Sequence, residues 1–220
     1  NAVNVNPDGM GQVLLYPYYS ARGGNDTLIS IVNTTERGKA VKIRFREAIN
    51  SRDVLDFHIY MSPYDVWTAA VTASDAGGAK LVTNDTTCTV PYIFGDFDGE
   101  QEFLDFDYAT EEDKDTGVES TLDGGPTGIE RTASGYIEVI EMGTMVALPD
   151  TAPKKTDAAY VPYAAKHAKG VPNDCPALVN AWTENATKGT LPAAWFTDAK
   201  TGFDTTEDHG FSGGLFGSAS

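Results

Sequence analysis

Apolar residues come in short runs along the first third of the chain, each closed by a cluster of polar turn formers. Gly11-Gln-Val-Leu-Leu-Tyr-Pro-Tyr-Tyr19 is apolar almost throughout, as a buried strand would be, and Pro17 interrupts its hydrogen-bond ladder. The cluster Arg22-Gly-Gly-Asn-Asp26 leads into Thr27-Leu-Ile-Ser-Ile-Val32, and Asn33-Thr-Thr-Glu-Arg-Gly38 turns the chain again. Val41, Ile43 and Phe45 then alternate with Lys42, Arg44 and Arg46, the period-2 signature of a half-buried strand. The apolar set is expected to point into a core and the basic set to face out. Leu55, Phe57 and Ile59 repeat the alternation, and Ser62-Pro-Tyr-Asp65 turns into Val66-Trp-Thr-Ala-Ala-Val71. Strands about ten to fourteen residues apart, joined by short polar turns, predict a mainly β protein, an antiparallel β-sandwich or jelly roll.

The pattern changes from Asp96 to Asp123, where twelve acidic residues stand against one base, Lys114. Only Phe103-Leu-Asp-Phe-Asp-Tyr108 reads as a strand there; the rest reads as a long, exposed acidic loop. Regular structure resumes with Gly135-Tyr-Ile-Glu-Val-Ile-Glu-Met142, a strong strand. Thr156-Asp-Ala-Ala-Tyr160 and Ala164-Ala-Lys-His-Ala168 read as short helices. Pro176-Ala-Leu-Val-Asn-Ala-Trp182 reads as another, with Asn173 or Asp174 near its cap and Pro176 in its first turn. The organisation expected is one β-rich domain over 1–220, divisible into N-terminal strands (1–93), an acidic insertion (94–130) and the remaining strands and short helices (131–220). Gly213-Gly-Leu-Phe-Gly-Ser-Ala-Ser220 stops where a new strand starts, which leaves two readings: a natural chain that continues past Ser220, or a segment completed by another subunit.

Charge narrows the function. The 220 residues hold 16 Lys and Arg against 32 Asp and Glu, a formal charge of −16. Binding to a phosphate backbone draws on Lys and Arg displacing counterions, so nucleic acid is excluded as the main partner. Anionic lipid is disfavoured for the same reason. With 41% hydrophobic and 10% aromatic residues the chain is too apolar for a disordered acidic tail. No apolar run approaches the roughly 18 residues that span a bilayer. An exported protein whose signal peptide has already been removed fits this composition.

Candidate chemistry is sparse. Cys88 and Cys175 lie beside turn formers and make an even count, so an intrachain disulfide is expected in an exported protein. Asp96, Asp98 and Glu100, with Asp105 and Asp107 close by, put hard oxygen ligands at alternate positions, which suits Ca²⁺. The full calcium-loop pattern is incomplete, and three readings stay open for these acids: a solvated loop, a calcium site, or paired carboxylates of a glycosidase. His58, His167 and His209 share no metal spacing and read as solvated. Gly210-Phe-Ser-Gly-Gly214 matches G-x-S-x-G, but it lacks the preceding apolar strand and any later His, so it reads as a glycine loop. N-x-[ST] triplets at Asn25, Asn33, Asn84 and Asn185 fall in turns or at element ends, where modification is sterically possible.

Several phrases together resemble a family. They are Gly11-Gln-Val-Leu-Leu-Tyr-Pro-Tyr-Tyr-Ser20, Gly38-Lys-Ala-Val-Lys-Ile-Arg-Phe-Arg-Glu47, Tyr60-Met-Ser-Pro-Tyr-Asp-Val-Trp-Thr-Ala69, Arg131-Thr-Ala-Ser-Gly-Tyr-Ile-Glu-Val-Ile-Glu-Met-Gly143 and Gly213-Gly-Leu-Phe-Gly217. The chain resembles a group of exported proteins of Gram-negative bacteria, some of them similar to surface-layer proteins of marine gammaproteobacteria. The resemblance implies export and a structural role, and brings no catalytic residues. The expectation is thus a non-enzymatic extracellular protein that self-assembles with its own copies into a cell-surface layer or filament, with calcium on the acidic segment. Two alternatives stand beside it. One is a secreted module binding glycans through Tyr16, Tyr18, Tyr19, Tyr64, Trp67 and Trp195; the other is a carboxylate-dependent hydrolase.

Overall fold

A computed structural model describes residues 5–112, 119–121, 123–145, 150–154, 160–180, 203–204 and 213–220. The first strands fall where the alternation puts them: β1 (Val13–Ser20), β2 (Thr27–Asn33), β3 (Lys39–Glu47), β4 (Asp53–Met61) and β5 (Val66–Ala73). Short strands β6 (Ala79–Val82) and β7 (Cys88–Val90) follow, then a single helical turn α1 (Ile93–Asp96) and β8 (Glu100–Glu102). β9 (Thr110–Glu112) and β10 (Glu119–Thr121) pair antiparallel in the acidic segment. A 3₁₀ turn (Ile129–Ala133) feeds the long β11 (Ser134–Met145). Then come α2 (Tyr160–Ala165), the tight hairpin β12 (His167–Ala168) and β13 (Val171–Pro172), α3 (Cys175–Asn180), β14 (Phe203–Asp204) and β15 (Leu215–Ala219).

Two antiparallel sheets pack face to face as a β-sandwich. One runs β1-β11-β3-β4-β7, with β14 beside the end of β11; the other runs β15-β2-β5-β6-β8. The core lies between them because each strand presents one apolar face. Val41, Ile43 and Phe45 of β3 are fully buried, while Lys42, Arg44 and Arg46 are half-buried on the outer face. Ile137 and Val139 of β11 sit beside them in register, opposite Phe45 and Ile43. Phe45 anchors an aromatic cluster, with Phe103 at 5.0 Å, Tyr19 at 5.7 Å and Phe57 at 6.4 Å between ring centroids. Burial of such rings is worth about 1.5–3 kcal/mol each, so this cluster dominates the packing energy.

Three local expectations change. Phe103–Tyr108 is not a strand: the strand is Glu100–Glu102, and the chain then turns, with Tyr108 and Ala109 donating their N–H groups to the Asp105 carbonyl. Phe103 and Tyr108 are both buried, and residues five apart fall on opposite faces of a strand, so only a turn can bury both. In β4, Val54 rather than Leu55 is fully buried, because the register with β3 shifts between Phe45 and Arg46. The helix expected over Ala164–Ala168 stops at Ala165; Lys169 and Gly170, at φ 57° and 86°, fold His167–Pro172 into a hairpin instead. The helix over Thr156–Tyr160 lies outside the described residues except for Tyr160, which starts α2. Pro17 does break the ladder, since the β1–β11 register shifts between Tyr16 and Tyr19.

A second, smaller core explains why the end of β4 is buried on both faces. Ala40, Tyr60 and Cys88 lie under α2 and α3, packed with Tyr160, Val161, Ala164 and Leu178. The Cys88–Cys175 disulfide joins β7 to α3 with a Cα–Cα distance of 5.4 Å, as expected. Asp174 caps α3 through the Ala177 N–H, the role the sequence suggests for it.

Candidate functional site

The ionisable residues that matter most are inside the protein, at the two ends of β3. At its C-terminal end Glu47 is buried, and the 3₁₀ turn aims Arg131 at it. Arg131 uses all five of its N–H groups. Nε donates to Glu47 Oε2 (2.8 Å) and Nη2 to Glu47 Oε1 (3.0 Å). Nη1 donates to Asp123 Oδ1 (3.1 Å) and to the Pro126 carbonyl (3.0 Å), and Nη2 also reaches Asp123 Oδ2. The guanidinium lies over the Tyr108 ring at 4.2 Å. Glu47 further accepts the N–H groups of Ile49, Asn50 and Arg52, which shapes the β3–β4 turn.

Burial alone would raise the Glu47 carboxyl, but the Arg131 and backbone hydrogen bonds outweigh it and hold the group at about 2. Hydrogen bonds from Arg131 hold Asp123 well below the usual carboxylate range, and Glu47 and Asp123 together raise Arg131. Asp123 is therefore no solvated loop acid; its side chain is 3% exposed and pins the end of the acidic segment to the sandwich.

At the other end of β3 the fully buried Lys39 Nζ donates to Glu141 Oε1 (2.5 Å). Glu141 also accepts from Thr144 Oγ1 (3.3 Å) and from the Gly213 N–H (3.1 Å). Both clusters brace structure: their acceptors and donors are directed at one another and at the backbone.

The outer face of the same sheet holds the basic triplet. Lys42 pairs with Asp56, Arg44 with Asp53, and Arg46 Nε with Glu138 at 2.9 Å, while Arg46 Nη2 also reaches Asp53 at 3.7 Å. The triplet faces out, as the alternation predicts, and is neutralised within its own sheet. His58 stands in this row as well. Burial first, then Lys42, lowers it to about 4 against the opposing pull of Asp56, so it is not freely solvated.

The five acids proposed for calcium are placed as follows. Asp96 ends α1, Asp98 sits in the α1–β8 turn at φ 53°, and Glu100 opens β8, all exposed. Glu100 is paired with Lys80 at 2.7 Å. Asp105 and Asp107 lie beyond β8, and Asp107 accepts the Asp53 N–H (3.2 Å). Among the described residues no three His, Cys, Asp or Glu side chains are gathered as a metal-binding group.

One constellation was not visible in the sequence. His167 Nδ1 lies 3.1 Å from Ser62 Oγ and 3.6 Å from Asp65 Oδ2, with Thr87 Oγ1 3.5 Å from Nε2. A hydrolytic triad needs the nucleophile and the acid on opposite ring nitrogens. Here Ser62 and Asp65 share Nδ1, and the Thr87 hydroxyl is donated to Asp85 (2.6 Å). The group ties β12 to the β4–β5 turn. Ser212 and His209 lie outside the described residues.

Of the aromatic residues considered for stacking, Tyr16, Tyr19 and Trp67 are in the core at 7%, 0% and 0% exposure, Tyr18 and Tyr64 are exposed, and Trp195 lies outside the described residues. Asn25 and Asn84 are exposed, but Asn33 is buried and donates to the Arg37 and Ser62 carbonyls, so it is not open to modification.

The remaining surface of note is the outer face of the second sheet. Ser30 pairs with Thr68 at its centre, flanked by Leu28 opposite Ala70 and by Val32 opposite Val66. Phe216 and Ser218 of β15 extend the face on one side and Val82 of β6 on the other. β2, β5 and β15 contain no charged residue at all. A shallow groove of about 460 Å³ crosses this face over Leu28, Ser30, Thr68, Ala70, Val82 and Ser218. Leu28, Val66 and Phe216 are 60%, 46% and 45% exposed.

Comparison with known protein families, with curated proteins and with solved structures gives no match to this chain. Among the described residues no helix is long and apolar enough to cross a membrane.

Proposed function

We propose that this chain is a non-enzymatic extracellular structural protein that assembles with copies of itself into a cell-surface layer or filament. The observation that carries the reading is the partition of charge. A molecule of formal charge −16 places no charged residue within three adjacent strands, and among the described residues no element covers their outer face. Buried ion clusters meanwhile stiffen both ends of β3, which suits a building block that must hold its shape. The Cys88–Cys175 disulfide supports export, since such bonds persist in oxidising compartments.

Calcium on the segment holding Asp96, Asp98, Glu100, Asp105 and Asp107 is the cation arm of the proposal. It would neutralise carboxylates that monovalent salt only screens. Negative-stain microscopy and size-exclusion chromatography of concentrated protein with calcium are expected to show ordered multimers. EGTA at constant ionic strength should loosen them. Monodisperse protein at high concentration with calcium present would refute assembly; multimers indifferent to EGTA would refute the cation arm alone.

A further inference from the structure

We infer that Lys39 and Glu141 condense into a side-chain amide, a covalent cross-link between the neighbouring strands β3 and β11 that holds whether or not copies of the chain assemble. Antiparallel pairing sets the two side chains on one face: Glu141 is opposite Val41, and Lys39 stands two residues before Val41 on the same strand. A bulge between Glu141 and Gly143 re-aims this end of β11. Neither side chain has any solvent exposure, and Lys39 Nζ lies 2.5 Å from Glu141 Oε1. The carboxyl carbon is one C–O bond beyond that oxygen, so it stands no more than about 3.7 Å from the amine. Reacting atoms poised to combine are about 3–3.5 Å apart, and holding them there is equivalent to concentrations on the order of 10⁵–10⁸ M. Two paired strands supply that restraint.

Two donors polarise the carboxyl: the Gly213 N–H is 3.1 Å from Oε2 and Thr144 Oγ1 is 3.3 Å from Oε1. Buried ions are costly, and passing one proton from Nζ to Oε1 along their hydrogen bond leaves a neutral amine and a carboxylic acid. The Nζ lone pair then adds to the carboxyl carbon, and Oε2 takes the negative charge under the Gly213 N–H, as in an oxyanion hole. Oε1 leaves with its own proton and one from Nζ as water, and Oε2 becomes the amide carbonyl. The reverse reaction needs water, which a site without solvent exposure withholds. The other ion pairs lack one requirement or the other. Arg131 on Glu47 is equally buried, but a guanidinium stays protonated and has no lone pair to offer. Lys42 with Asp56 and Lys80 with Glu100 have the amine, but their carboxylates are wet, at 47% and 51% exposure.

Intact-mass measurement of the 220-residue chain, folded and then denatured, tests this. Wild type is expected to be lighter than its sequence by one water, beyond the two hydrogens lost to the Cys88–Cys175 bond. After reduction, trypsin should leave one branched peptide, Gly38–Lys42 joined to Thr132–Lys154 and uncut after the acylated Lys39. Lys39→Arg keeps the charge and cannot condense, so it should return the mass to the full sequence value. Lys39→Met with Glu141→Leu, which buries no charge, should do the same if the longer Arg side chain prevents folding. A Lys39→Arg chain still short of one water would place the loss elsewhere, for instance in a succinimide at Asp98-Gly99 or Asp123-Gly124, and overturn the assignment. Wild type at full mass, or a branched peptide joined at Lys42 or Lys80, would overturn it as well and leave Lys39 and Glu141 an ion pair.

Discussion

Replacing Arg131 by Met would remove the guanidinium on which one end of the sandwich is closed. The side chain is 1% exposed, so water cannot substitute for it. Glu47 would keep three backbone N–H donors and lose both Arg131 hydrogen bonds, leaving a buried carboxylate without its counter-charge. Breaking one partner of such a pair costs about 3–5 kcal/mol, and the lost stacking on Tyr108 adds about 0.5–1 kcal/mol. The cycle with Glu47→Gln separates the pair from its surroundings: the double variant should be more stable than the sum of the single losses implies, by about 1–3 kcal/mol. Urea unfolding followed by tryptophan fluorescence, disulfide intact throughout, measures all four proteins. Acid provides an independent check. Glu47 sits at about 2 when folded against an ordinary 4.5, so its contribution is fully present above pH 4.5 and is lost as pH falls from there through 2. That contribution is on the order of 1–3 kcal/mol after allowance for solvent screening, and Glu47→Gln should remove it. An Arg131→Met loss below 1 kcal/mol, or strict additivity in the cycle, would refute the network as a brace.

Three other outcomes are expected. His58 is neutral in the fold down to about 4, so the unfolded chain takes up a proton first; stability should fall as pH drops from 6.5 towards 4, and His58→Gln should flatten that slope in urea titrations. Gly135→Ala places a Cβ onto the Arg46 carbonyl oxygen and 2.8 Å from the Tyr19 ring, prising β11 from β3; it should cost about 2–4 kcal/mol, against about 1 kcal/mol for Gly24→Ala, which has a positive φ but open space around it. Removing the disulfide with Cys88→Ala and Cys175→Ala frees a loop of 87 residues and should cost roughly 4–5 kcal/mol in the chain-entropy model, with a urea midpoint no longer sensitive to reductant.

The sandwich was legible wherever one face of a strand is wet. Val41, Ile43 and Phe45 announce themselves because Lys42, Arg44 and Arg46 stand between them. The alternation fails at Tyr60 and Met61, where α2 and α3 cover the outer face and polarity no longer marks the outside. The braces at the ends of β3 were illegible for a different reason. Lys39 and Glu47 stand at the ends of the alternating run with nothing local to mark them as buried, and Asp123 is one of twelve acids with nothing local to single it out. Its partner Arg131 stands eight residues away, and only the 3₁₀ turn brings the two together. Ser62, Asp65, Thr87 and His167 meet across a separation of as many as 105 residues, which no spacing rule reaches. For the uncharged face the ingredients were visible and the adjacency was not. β15 pairs with β2 from nearly the far end of the chain, and that pairing turns three neutral strands into one surface.

Buried charge also bears on why β3 adopts one register. Its side chains alternate, so a slip of one residue against β11 would turn Lys42, Arg44 and Arg46 into the core and expel Val41, Ile43 and Phe45. The apolar cost alone forbids that. A slip of two residues keeps the apolar face inward and is the more dangerous error. In the observed register Lys39 is opposite Thr144 and reaches Glu141, while Glu47 is opposite Gly135 and meets Arg131 from the adjoining turn. Two residues off, both charges would be buried away from their partners, and each orphaned ion would cost several kcal/mol. Hydrophobic alternation thus selects the face and the terminal ion pairs select the position along it. In the assembly proposed above, an error of register in one copy would be carried into every contact it makes, so the second kind of information matters most there.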